Sequence, residues 1–134
     1  MDEYGQVIDV YVSPQRDSGA ARWFFHRALS IAVVAPVEVV TDQAACYLRV
    51  LEEVFPQAWH RIARYANNRI EADHAQLKRR LRPMRGLKTD IGARTVITGH
   101  AFIQNIRRGH YELGVDIDPR HRLPAAFAEL ALAI

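Results

Sequence analysis

Read as a pattern of apolar and polar positions, the chain divides into eight short segments. Gly5-Gln6-Val7-Ile8-Asp9-Val10-Tyr11-Val12 is rich in β-branched and aromatic residues and predicts a strand. Tyr4-Gly5 before it reads as a turn. The strand is therefore expected as the second arm of a hairpin whose first arm lies upstream of Met1. Ser13 to Asp17 is a loop, and Asp17 or Ser18 can cap a helix over residues 19–30. Ala20, Trp23, Phe24, Arg27 and Ala28 recur there at helical spacing. Trp23 and Phe24 are expected as core anchors, not as a platform for stacking bases.

Pro36 introduces a short apolar strand, Val37-Glu38-Val39-Val40, which ends in Thr41-Asp42. A helix over 44–55 follows, with Cys46, Tyr47, Val50, Leu51 and Val54 on one side and Pro56 as its stop. Residues 60–65 alternate as a further strand. Strand, helix and strand at these lengths form a βαβ unit, which implies parallel strands and a right-handed crossover. Asn67 or Asn68 caps a helix predicted over 69–82, closed by Pro83. Thr89 or Asp90 caps a longer one over 91–108, with Gly109 placed to end it. A polar loop over 114–122 leads to a short closing helix from Leu123-Pro124.

Composition adds bounds. A chain of 134 residues suits one compact domain. No apolar run approaches the roughly 20 residues of a membrane span, and the N-terminus lacks a signal-peptide layout, so no membrane partner is expected. The single cysteine, Cys46, excludes an internal disulfide and fits a reducing cytoplasm. Net charge is +3 but unevenly placed. Residues 1–56 hold eight acidic and four basic side chains, and residues 57–134 hold seven and fourteen. The second part, dominated by arginine, is suited to meet a polyanion, although a solvated charged face would read similarly.

Candidate chemistry gathers at two places. Asp42 follows a strand at what should be the C-terminal edge of a parallel pair, where ligands bind in open α/β sheets. A turn aspartate capping the helix from Ala44 is the commoner role for such a residue. Glu71 lies in the first turn of the helix after the second strand, where the macrodipole stabilises a carboxylate by roughly 0.3–1 kcal/mol. Both carboxylates can emerge at one sheet edge, and two convergent carboxylates suit Mg2+. Paired ions roughly 3.5–4 Å apart serve phosphoryl transfer. His74 and Lys78 fall on the face of Glu71, whereas Asp73 points away and reads as structural. From Lys78 the cations Arg79, Arg80, Arg82, Arg85 and Lys88 follow with no acid between them. The six histidines show no paired zinc spacing, and no serine elbow or glycine-rich phosphate loop is present.

Val40-Thr41-Asp42, Tyr65-Ala66-Asn67-Asn68-Arg69-Ile70-Glu71-Ala72-Asp73-His74 and Leu77-Lys78-Arg79 resemble the DDE transposases of bacterial insertion sequences, and most closely the insertion sequence six family. The stretches 81–88 and 99–109 resemble that family's C-terminal region, and 5–12 its third strand. The resemblance implies an α/β, ribonuclease H-like fold with a mixed sheet, divided into a core over 1–88 and C-terminal helices over 89–134. It implies cutting and joining of DNA with Mg2+ or Mn2+. Asp42 would be the second catalytic aspartate and Glu71 the catalytic glutamate, both metal ligands. His74, Lys78, Arg79, Arg80, Arg82, Arg85 and Lys88 would meet DNA.

Two departures accompany the resemblance. Asp42 and Glu71 have 28 residues between them, several fewer than is usual. The family's first catalytic aspartate precedes the hairpin, and neither Asp2 nor Asp9 corresponds to it. The chain is therefore expected to be an N-terminally truncated catalytic domain, inactive alone. Its partners would be terminal inverted repeats and target DNA, with a homodimer or full-length transposase as a further possibility. The alternative is a non-enzymatic DNA-binding or dimerising remnant that modulates full-length transposase.

Overall fold

The computed structural model describes residues 1–42, 44–63 and 68–134. Among them, seven elements follow in order: α1 (Ser18–Ile31), β1 (Glu38–Thr41), α2 (Cys46–Val54), β2 (Trp59–Ile62), α3 (Asn68–Leu81), α4 (Asp90–Arg108) and α5 (Arg122–Leu132). This is an α/β chain in two compact units, Tyr11–Lys78 and Met1–Val10 with Arg79–Ile134. No helix among the described residues is long and apolar enough to cross a membrane.

The unit Tyr11–Lys78 is built on the βαβ pattern. Asp17 caps α1, its carboxylate accepting from the Ala20 amide at 2.8 Å. Ala21 and Phe25 of α1 meet Val50, Leu51 and Val54 of α2, together with Phe55, and Phe24, Leu29, Val39 and Tyr47 pack around them. Each large apolar side chain buried here contributes roughly 1.5–3 kcal/mol. Arg22 fastens the two helices at their rim by a forked contact with Glu53, at 2.9 and 2.8 Å. β1 and β2 pair in parallel with Glu38 opposite Trp59 and Thr41 opposite Ile62. Glu38 and Arg61 form a diagonal ion pair across them.

One face assignment changes. The buried stripe of α1 runs through Ala21 and Phe25, with Phe24 packed beside it. Trp23 lies two residues from Phe25, about 200° round the helix. It is 51% exposed and is no core anchor. Three consecutive aromatics, Trp23-Phe24-Phe25, let two helical phases fit the same pattern. The ring that inserts between α1 and α2 decides between them: Phe25 lies edge-on to both Tyr47 and Phe55.

In the other unit, Thr89 caps α4, accepting from the Gly92 amide at 3.0 Å. Gly109 ends it with φ 78°, in the left-handed region that glycine tolerates. Ala93 and Ile106 of α4 and Ala126 of α5 are the buried apolar residues of this unit. Residues 5–12 form no strand, so among the described residues the sheet is a parallel pair and not mixed. The polar backbone of Val7 is satisfied another way. Its amide donates to Asn105 Oδ1 at 2.8 Å, and its carbonyl accepts from Asn105 Nδ2 at 2.9 Å. One buried carboxamide thus supplies the donor and the acceptor that a neighbouring strand would have offered. Arg108 adds a bond to the Gly5 carbonyl at 3.0 Å.

Candidate active site

The parallel pair delivers Asp42 directly. Beyond the last paired residues the ladder extends one step, from the Ala63 amide to the Thr41 carbonyl at 3.4 Å. Thr41 is buried. Its hydroxyl donates to the Asp42 carbonyl at 3.0 Å and lies 2.7 Å from Nε2 of His60, on the neighbouring strand. This chain of bonds pins the strand end from which Asp42 projects.

Both oxygens of the exposed Asp42 carboxylate are engaged. Oδ1 accepts from the Ala44 amide at 3.1 Å, and Oδ2 pairs with the Arg16 guanidinium. The cap position of α2 is Ala45, with no side-chain bond, so Asp42 shapes the turn before the helix without capping it. Arg16 also rests over the Tyr47 ring, 5.6 Å from its centroid. The guanidinium of Arg16, assisted by the Ala44 amide, holds the Asp42 carboxyl below its ordinary range. Asp42 and then Tyr47 hold Arg16 more firmly protonated in return. Arg16 is a loop residue with no periodic pattern around it, which is why sequence reading passed over it.

Glu71 occupies the first turn of α3, the helix that follows β2, and is exposed. The asparagine expected to cap this helix divides between Asn67, outside the described residues, and Asn68, its first residue. Tyr65 and Ala66 of the same motif also lie outside them. Asp73 is buried, in keeping with a structural role, while His74 and Lys78 are exposed. Spacings of three and four residues put Glu71, His74 and Lys78 on one helical face.

The unit Tyr11–Lys78 therefore holds Asp42 beyond β1 and Glu71 on the helix after β2, both exposed hard-oxygen donors of the kind that suits Mg2+ or Mn2+. Among the described residues no group of three His, Cys, Asp or Glu side chains is arranged to hold a metal ion.

The remaining cations belong to the other unit. Arg79, Arg82, Arg85 and Lys88 are exposed. Arg80 is half-buried, and its Nη1 lies 3.1 Å from Nδ1 of His100 on α4. Nδ1 is then the acceptor of a bond from this arginine. Arg85 takes a left-handed φ of 54°, and its carbonyl accepts from Lys88 Nζ at 3.0 Å.

A family profile described as a DDE domain, of the insertion-sequence transposase type, matches residues 1–110. The chain matches no curated protein and no solved structure.

Proposed function

The chain belongs to the DDE-domain family of insertion-sequence transposases, and from that premise we propose that it is part of a ribonuclease H-like catalytic domain that cuts and joins DNA. The observation that carries this reading is the placement of Asp42 immediately beyond β1 and of Glu71 on the helix after the parallel β2. The finer family is that of insertion sequence six, whose Asn-Asn-x-Ile-Glu-x-Asp-His pattern spans Asn67 to His74.

In this reading Asp42 and Glu71 would hold a divalent ion, Mg2+ or Mn2+. Such an ion supplies Lewis acidity to the oxygens of a phosphoryl transfer. Arg16 on Oδ2 and the Ala44 amide on Oδ1 would orient the carboxylate, whose remaining lone pairs would serve the ion. Thr41 and His60 hold the strand end from which Asp42 projects. His74 and Lys78 contact phosphates beside the scissile bond, and Arg79, Arg82, Arg85 and Lys88 contact the DNA backbone further along. A third carboxylate comes from outside these 134 residues, and without it the chain does not turn over.

The test is strand cleavage and transfer on terminal inverted-repeat DNA, with the 134-residue chain and with a version extended to include a strand bearing an aspartate. Activity is expected only from the extended protein, and Asp42→Asn or Glu71→Gln should each remove it. Turnover by the 134-residue chain would overturn the incomplete site, and an active extended Asp42→Asn variant would overturn the assignment.

A second reading is favoured by the four exposed cations Arg79, Arg82, Arg85 and Lys88. A DNA-binding or dimerising remnant that modulates full-length transposase needs only these. It predicts that Glu71→Ala changes nothing measurable while the arginine substitutions weaken binding.

A further inference from the structure

The chain leaves α3 through a turn that the two-carboxylate site does not use. The Gly86 amide donates to the Leu81 carbonyl at 3.1 Å, and the Arg85 amide to the Arg82 carbonyl at 3.2 Å. These two nested bonds are the Schellman close of a helix, whose left-handed position glycine ordinarily fills. Here that position is Arg85, at φ 54°, and Gly86 follows at 83°. Pro83 fixes a further φ inside the turn. Lys88 Nζ returns to the Arg85 carbonyl at 3.0 Å. The turn is thus held at several points, and it keeps an arginine in a conformation that is unfavourable for any residue with a side chain.

The turn presents an apolar tip between two cations. Arg82, Pro83, Met84 and Arg85 are consecutive exposed residues, and Met84 is 53% exposed. Among the described residues neither Arg82 nor Arg85 is in an ion pair. No acidic residue occurs from Lys78 to Thr89, so the surface complements a polyanion. Pro83 and Met84 carry no side-chain donor, and a thioether is only a weak acceptor. The tip therefore cannot read base edges by hydrogen bonds, as a helix in the major groove does. An α-helix, about 10–12 Å across, is too wide for the roughly 6 Å minor groove, whereas a two-residue tip is not. Proline and methionine are among the side chains that wedge base steps apart from that groove. The Cα atoms of Arg82 and Arg85, as the ends of one closed turn, lie within about 7 Å of each other, a spacing that suits its two phosphate-lined lips.

We propose that the Pro83–Met84 tip enters the minor groove of duplex DNA and wedges one base step, with Arg82 and Arg85 on the phosphates of the two strands. The inference rests on the DNA-processing reading for its partner, and adds to it a point of insertion and a bend.

An A·T-rich duplex of about 20 base pairs, labelled at its ends with a donor and an acceptor, reports binding by anisotropy and bending by energy transfer. The 134-residue chain should raise the transfer as it binds, through a bend of roughly 20–90°. Netropsin, a minor-groove ligand, should displace it. Met84→Ala should abolish the rise and weaken binding about fivefold with the salt slope unchanged, and Met84→Leu should restore both. Arg85→Gly suits the left-handed φ, so it should leave the thermal melt unchanged or raised while reducing the salt slope by about one. Equal thermal melts of the Met84 variants by circular dichroism tie the loss to the tip.

If the duplex binds without a bend, or the Met84→Ala chain bends it equally, this inference is wrong and the DNA reading stands. Binding that netropsin leaves untouched overturns the inference in the same way. If no DNA binds, both fail.

Discussion

Replacing Asn105 with alanine should destabilise the unit containing α4 by about 2–4 kcal/mol. Asn105 is 2% exposed, and its carboxamide serves the Val7 amide at 2.8 Å, the Val7 carbonyl at 2.9 Å and the Tyr111 hydroxyl at 3.2 Å. Alanine leaves both Val7 groups without a partner, at about 1–3 kcal/mol for each group fully buried. Val7 is only partly buried, so the lower part of that range applies to each. The void left by the amide adds a smaller cost. Against a total stability of roughly 5–15 kcal/mol, the loss is large. Urea titration followed by circular dichroism gives the free energy, and hydrogen exchange at the Val7 amide localises it. Asn105→Asp should cost at least as much at neutral pH, because a carboxylate cannot donate to the Val7 carbonyl. A loss below about 0.5 kcal/mol with Val7 still protected would refute the idea that this side chain stands in for a strand.

Two further predictions concern charge. Arg16 lowers the pKa of Asp42 in the folded protein, so the contribution of the pair is present above the ordinary carboxylate pKa and is lost as pH falls through the depressed folded value. The pair is half-exposed and is worth no more than about 1 kcal/mol. Asp42→Asn should thus narrow the gap in unfolding free energy between neutral and acid pH, read from urea titrations, by that amount, and an unchanged gap would contradict the pairing. For DNA binding, Arg79→Ala and Arg82→Ala should each reduce the slope of log affinity against log salt by about one. Arg80→Ala should instead lower the melting temperature and leave the slope alone, since Arg80 is taken up by His100.

Much of the local structure was legible because single residues carry its physics. Asp17 and Thr89 cap where a short polar side chain meets a following apolar periodicity, and Gly109 ends α4 where a left-handed φ is needed. The parallel pair followed from strand and helix lengths. What stayed hidden depends on partners far along the chain. Val7 bonds a side chain 98 residues away, and nothing in residues 5–12 distinguishes that from pairing with a strand. Trp23 was misplaced because adjacent aromatics leave the phase of an amphipathic helix undetermined until α2 packs on it. Asp42 and Glu71 were visible as residues, but the Arg16 contact that occupies Asp42 was not, since a loop arginine can reach many acids.

The most direct test of the central claim is paramagnetic broadening by Mn2+ of the amide resonances of the 134-residue chain. The account predicts selective broadening of amides next to Asp42 and Glu71, Ala44 and Ala72 among them, removed by Asp42→Asn and by Glu71→Gln. Equal broadening in both variants, or none near either residue, would contradict it.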